Sequence, residues 1–219
     1  MAKFGIEFIH FLADLEVNNN RDWFNANKER FKTSVEEPFI EFIDHVIVLL
    51  NKEGASHNIK AKDCVFRIYR DVRFSKDKSP YKLHMSALIS PGGRKDFLHP
   101  GFYIEFTADK LRIYAGIYEP QNPLLEKIRQ KISKHPDLFK KLYTASSFRK
   151  TYGQILGEKA KRLDAKWRSL AEKEPYIYNK AFYYKCETDA ALLLEKGLDR
   201  WIIQAFKAAK AMNEFLYFK

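Results

Sequence analysis

The sequence predicts an α+β domain with an N-terminal helical hairpin and a third helix, a central antiparallel meander of four to five strands, and C-terminal helices packed on one face of the sheet. Apolar residues recur at helical spacing near both ends of the chain, and the period changes to alternation between residues 64 and 118. The alternating stretches are joined by short turn sequences, as in a meander. With 219 residues, 46% hydrophobic and 15% aromatic, the chain is long enough to bury a substantial core as a single domain, 1–219.

The first helix is carried by Ile6, Phe8, Ile9, Phe11, Leu12 and Leu15. Asn18-Asn19-Asn20 supplies a stop and then an N-cap for a second helix from Arg21, on which Trp23, Asn27 and Phe31 share a face. Pro38 suits the first turn of a third helix carrying Phe39, Phe42, Ile43, Val46, Ile47 and Leu50, which Gly54 terminates. Strands are expected at about 64–75, 82–90, 101–107 and 111–118, separated by Ser79-Pro80, Pro91-Gly92-Gly93 and Ala108-Asp109-Lys110. Residues 181–186 offer a fifth. Helices then cover Leu124, Leu125, Ile128 and Ile132, and the long apolar face from Leu198 to Phe218.

Composition narrows the function classes. No stretch is apolar enough to span a bilayer, and Glu7, His10 and Asp14 interrupt the N-terminal pattern from Met1-Ala2-Lys3-Phe4 where a secretory signal would be continuous, so a cytoplasmic protein is expected. Cys64 and Cys186, each in an expected strand, read as buried free thiols. The histidines at 10, 45, 57, 84, 99 and 135 never occur as HxH or HxxxH, and neither a metal nor a cofactor is expected. Phosphate-loop, dinucleotide, HExxH, CxxC and GxSxG signatures are absent. The net charge of +11 is zoned: residues 127–168 hold thirteen Lys/Arg against three Asp/Glu, and residues 60–84 hold eight against three.

Alternation sorts the central residues by face. Phe66, Ile68, Val72 and Phe74 share one face with Arg70, while Arg67, Tyr69, Asp71 and Arg73 share the other. Lys82, His84 and Ser86, then Tyr103 and Glu105, then Arg112, Tyr114 and Tyr118 continue the polar face. Arg70 on an apolar face demands a carboxylate, carbonyls or a bound anion, with Asp22 or Glu29 as helix acids within the chain's choice, or a bulge that turns it outward. Residues 66–74 should form a strand, Ser75–Ser79 a turn and 82–90 the returning partner. That hairpin would crowd Arg73, Lys82 and the turn lysines at one end of the polar face.

The segments "NNNRDWFNANKERF" (18–31), "FRIYRDVRFSKDKSPYK" (66–82), "PGFYIEF" (100–106) and "GIYEP" (116–120) resemble the successive motifs of the uncharacterised family catalogued as domain of unknown function 2461. "GEKAKR" (157–162) resembles a later motif whose usual proline and glycine continuation is replaced by Leu163-Asp164-Ala165. The resemblance implies matching positions at Asn19, Arg21, Trp23, Asn27, Lys28, Arg67, Arg70, Asp71, Arg73, Phe74, Ser75, Lys76, Asp77, Lys78, Pro80, Tyr81 and Lys82, and no assigned activity.

Three readings follow. A small phosphate- or carboxylate-bearing ligand would be held on the basic, aromatic sheet face by Asn27, Arg67, Arg70, Asp71, Arg73, Lys76, Lys78, Tyr81, Lys82, His84 and Glu105, because bidentate guanidinium groups and a donor-rich turn suit anions. Alternatively, a nucleic acid would run along the 127–168 zone with Tyr69, Tyr103 or Tyr114 as stacking surfaces. In the third, the basic motif is structural glue between the helical hairpin and the sheet. His84, among Arg67, Asp71 and Lys82, is the histidine placed for proton transfer, beside Tyr81, Asp71 and Glu105.

Overall fold

The computed structural model describes residues 4–55 and 58–218; Met1, Ala2, Lys3, Ser56, His57 and Lys219 lie outside the described residues. The chain forms two compact units, one of Met1–Arg94, Tyr103–Ile113 and Glu187–Ile203, the other of Lys95–Phe102, Tyr114–Cys186 and Gln204–Lys219. Four strands, β1 (Met85–Ile89), β2 (Gly101–Phe106), β3 (Lys110–Ile117) and β4 (Phe182–Asp189), make one antiparallel sheet in the order β1-β2-β3-β4. Alternate residues of β2 and β3 are buried, and the residues between them, Tyr103, Glu105, Arg112 and Tyr114, are half-exposed, as the period-two pattern predicts.

In the first unit, α1 (Ile6–Val17) buries Phe8, Phe11, Leu12 and Leu15. The Asn18 amide donates to the Asp14 carbonyl at 2.9 Å, and the Asn20 side chain caps α2 (Arg21–Ala26) by accepting from the Trp23 N–H. The expected second helix is broken at Asn27, whose amide turns back on the Trp23 carbonyl at 2.9 Å. Beyond it, α3 (Lys28–Phe31) continues through a widened π-type turn (Lys32–Glu36) into α4 (Glu37–Lys52), with Pro38 in the first turn of α4 and its six expected apolar residues buried. Phe106 of β2 anchors these helices to the sheet. Its ring lies 5.8, 6.3, 5.5 and 5.4 Å from those of Phe4, Phe8, Phe39 and Phe42.

Residues 64–75 are not a strand. Ala61–Cys64 form a helical turn, α5, started by Asp44 accepting the Ala61 N–H at 2.9 Å, so Cys64 ends a helix and its buried thiol is pushed up to about 12 by desolvation and then by Asp63 and Asp44. Beyond it the chain does run antiparallel to residues 80–87, through isolated bridges Val65–Ala87 and Tyr69–Tyr81. Four steps from Val65 to Tyr69 face six from Tyr81 to Ala87, and the surplus falls at the bend of Leu83 and His84. That offset prevents a continuous ladder and shortens the predicted 82–90 strand to β1. Ser86, expected on the polar face, is buried, because Phe66 donates its backbone N–H to the Ser86 carbonyl at 2.9 Å and lays the chain across it. Phe74, expected on the apolar face, is 95% exposed.

The second unit holds α6 (Asn122–Lys134), which buries Leu124, Leu125, Ile128 and Ile132, α9 (Arg168–Lys173), and the aromatic-bearing α7 (Pro136–Thr144), α8 (Ser146–Tyr152) and C-terminal part of α10 (Leu198–Leu216). Phe139 meets Phe182 and Phe215, while Phe148 and Tyr152 meet Tyr184. The buried phenols stay satisfied: Tyr152 donates to the Ala205 carbonyl at 2.8 Å, and Tyr184 donates to Asn213 Oδ1. Glu174, also buried, accepts from the Tyr176 N–H and the Tyr143 hydroxyl. Residues 156–160 pair with 178–183 beside β4 through the bridges Leu156–Tyr183 and Lys159–Asn179.

Gly116 shows how closely β3 and β4 approach. Its φ is +99°, and a Cβ there would stand 2.2 Å from the Phe182 carbonyl oxygen. Gly153, which ends α8 with φ +75°, has open space around it. Gly153→Ala should therefore cost only backbone strain, about 1–2 kcal/mol. Gly116→Ala adds a clash with main chain that cannot move aside and should cost on the order of 3 kcal/mol or more. Chemical denaturation of the two variants checks this, and equal losses would show that strain alone decides.

Candidate functional site

The basic motif separates into two groups of side chains. The first closes loop 70–79 on itself. Arg70, half-buried, pairs with Asp77 at 2.5 Å and donates to the Ser79 carbonyl at 3.2 Å, so its counter-ion comes from its own loop and not from Asp22 or Glu29. Arg73 makes a forked pair with Asp71 at 3.0 and 2.7 Å. Lys78 donates to the Val72 carbonyl at 3.0 Å. The hydroxyl and N–H of Ser79 donate to Asp77, and these bonds, with Arg70 after them, hold its carboxyl well below the usual carboxylate range. Arg73, first by its side chain and then by its N–H, lowers Asp71 to about 2.

A clamp ties this loop to the N-terminal helices. The Asn19 amide donates to the Tyr81 carbonyl at 3.0 Å and accepts the Tyr81 N–H at 3.1 Å, while the Tyr81 ring stacks on Phe24 with centroids 4.0 Å apart. Tyr81 is thereby buried, and desolvation raises its phenol. Asn27 serves as the C-cap of α2. Asn19 entered the sequence reading through the Asn18-Asn19-Asn20 stop and the family resemblance, and its contact with Tyr81, across 62 residues, leaves no local pattern.

The second group lies on the polar face of the sheet, within the first unit. The Lys82 ammonium donates to the Arg67 carbonyl at 3.0 Å and sits 5.3 Å over the Phe66 ring, which in turn meets Tyr103 at 5.9 Å. Burial, then the Arg67 charge, pulls the Lys82 pKa down. Next to it, Glu105 accepts from Arg112 at 3.1 Å and stands 4.0 Å from His84, and Arg112 also reaches Glu187 at 3.4 Å. Burial lowers the His84 pKa; Glu105 opposes this, and Lys82 and Arg112 add to it, so the imidazole is neutral at pH 7 and able both to donate and to accept. Arg67 and Lys76 are exposed. Asp71, expected beside His84, is engaged with Arg73 in the loop instead.

Elsewhere, cations of the 127–168 zone are partly spent on structure. Arg129 donates to the Ile177 and Asn179 carbonyls at 3.1 and 3.3 Å, Lys131 to the Tyr217 carbonyl at 3.2 Å, and Lys166 pairs with Glu126 at 2.5 Å. Among the described residues no group of three or more His, Cys, Asp and Glu side chains is placed to hold a metal ion, and no helix is long and apolar enough to cross a membrane.

These features define an α+β protein whose antiparallel sheet carries a half-buried basic and aromatic cluster beside a self-braced cationic loop. The chain belongs to a conserved hypothetical protein family, DUF2461, whose model matches residues 7–215. No curated protein matches it.

The loop's acids give it a defined response to pH. Their folded-state pKa values lie below the ordinary 3.8, so the unfolded loop binds more protons. The bracing is complete above that value and is lost as the pH falls through about 2 for Asp71 and lower still for Asp77. An NMR titration should find Asp71 ionising near 2 in the folded protein, and Arg73→Ala should return it toward 3.8. An unchanged titration in that variant would rule out the forked pair as the cause.

Proposed function

We propose that the polar sheet face binds a small anionic ligand, bearing phosphate or carboxylate, at Lys82 with Arg67 and His84. The observation that carries this is the Lys82 ammonium: half-buried, bonded to a neutral carbonyl and beside a second cation. Glu105, on the same face, is engaged by Arg112 and His84. An arriving anion would supply the missing charge, neutral His84 would add a hydrogen bond, and the faces of Phe66 and Tyr103 would exclude water from one side.

The loop supports a complementary, structural reading for Arg70, Arg73 and Lys78. Their guanidinium and ammonium groups are taken by Asp77, Asp71 and main-chain carbonyls, which supports a framing role for them beside Lys82. Asn27 and Tyr81 belong to the same frame, as a helix cap and a stacked core ring.

An anion that binds only the folded state stabilises it by about 2.7 kcal/mol at a hundredfold excess over its dissociation constant. For a chain of this size the melting temperature should then rise by roughly 5–10 °C. Phosphate, sulfate and nucleotides should be compared with chloride at matched ionic strength. The shift should survive in Arg73→Ala and vanish in Lys82→Met, which keeps the aliphatic stem over Phe66. Equal shifts in wild type and Lys82→Met would eliminate the site.

A further inference from the structure

Phe74 is the most exposed large apolar residue among those described. It is 95% exposed, in a loop whose conformation is braced by the Arg70–Asp77 and Arg73–Asp71 pairs and by Lys78 on the carbonyls of Val72 and Arg73. The Ser75 N–H also closes a turn on the Val72 carbonyl at 3.3 Å. A flexible surface loop has no need of so many internal bonds; these hold an aromatic ring out in water. The Arg73 guanidinium stands over the ring 5.8 Å from its centroid, and residues 70–79 hold four Lys/Arg against two Asp/Glu, each acid already paired with an arginine. Lys76, two positions on, is exposed.

We propose that this loop binds single-stranded nucleic acid by stacking a base on Phe74, with Lys76 meeting a flanking phosphate. An aromatic face among cations is the arrangement that takes a flat ring joined to an anion, and every base has a face to offer. Two other occupants fit less well. Insertion of the ring into a lipid surface would bring only one exposed phenylalanine and would drag the Arg73–Asp71 pair toward the acyl boundary. A protein pocket would enclose both ring faces and displace Arg73 from a forked ion pair. No base edge is addressed by the loop, so binding is tolerant of sequence, and its few cations make it moderately salt-dependent.

The test uses the full chain and a fluorescein-labelled deoxythymidine oligomer of ~15 nucleotides, long enough for one such site, followed by anisotropy at low salt. Phe74→Ala should weaken binding by about tenfold or more, whereas Phe74→Trp should retain it and show quenching of the new indole by the oligomer. Because the ring is exposed, both variants should melt as wild type does, and both should keep the phosphate-induced shift attributed to Lys82, which separates this site from that one. Equal oligomer affinity in wild type and Phe74→Ala would overturn the proposal. So would a protein that ignores the oligomer, including one that instead sediments with phosphatidylserine vesicles in a Phe74-dependent way.

Discussion

The stack of Tyr81 on Phe24, closed by the paired hydrogen bonds of Asn19, is the interaction on which the basic motif depends. Cations gathered in one loop repel one another, and nothing in their own chemistry would hold them at a fixed place. The clamp supplies that place. It immobilises the backbone at Tyr81, one residue before Lys82, and the loop then needs only local pairs to complete itself. An apolar ring and two neutral hydrogen bonds thus position a charged segment, an arrangement that salt does not screen.

Lys82 inherits this placement. Its stem crosses Phe66 and its ammonium reaches the Arg67 carbonyl, so the charge is held against the sheet face and not released to solvent. Beyond it Glu105 lies between the His84 imidazole and Arg112, and Arg112 between Glu105 and Glu187. At the Lys82 end of this row the ammonium meets a neutral carbonyl, whereas the other end closes on Glu187.

Helix positions were legible in the sequence because caps and apolar periods are local: Asn20, Pro38 and the buried face of α4 lie where their patterns put them. The polar face of β2 and β3 was legible for the same reason, since period two survives any register. The segment 64–75 deceived because its alternation is genuine while its pairing is not. Two surplus residues at Leu83 and His84 shift the register, and no pattern within 64–75 can announce an offset in its partner. The same offset decides which of the motif's residues approach one another: Lys82 meets Phe66, and Asp71 stays with Arg73. Arg70 found an acid seven residues away because the loop turns back sharply, a geometry invisible to strand reasoning.

The buried thiol of Cys64 has a practical meaning. It sits at the end of α5, held protonated by desolvation and by Asp63 and Asp44, which leaves almost no thiolate to react while the turn is closed. Chemical attack at this sulfur is therefore gated by opening of the 61–64 turn, which is itself pinned to α4 through Asp44. The rate at which an electrophile modifies Cys64 becomes a clock for breathing of the first unit, built into the chain without any introduced label.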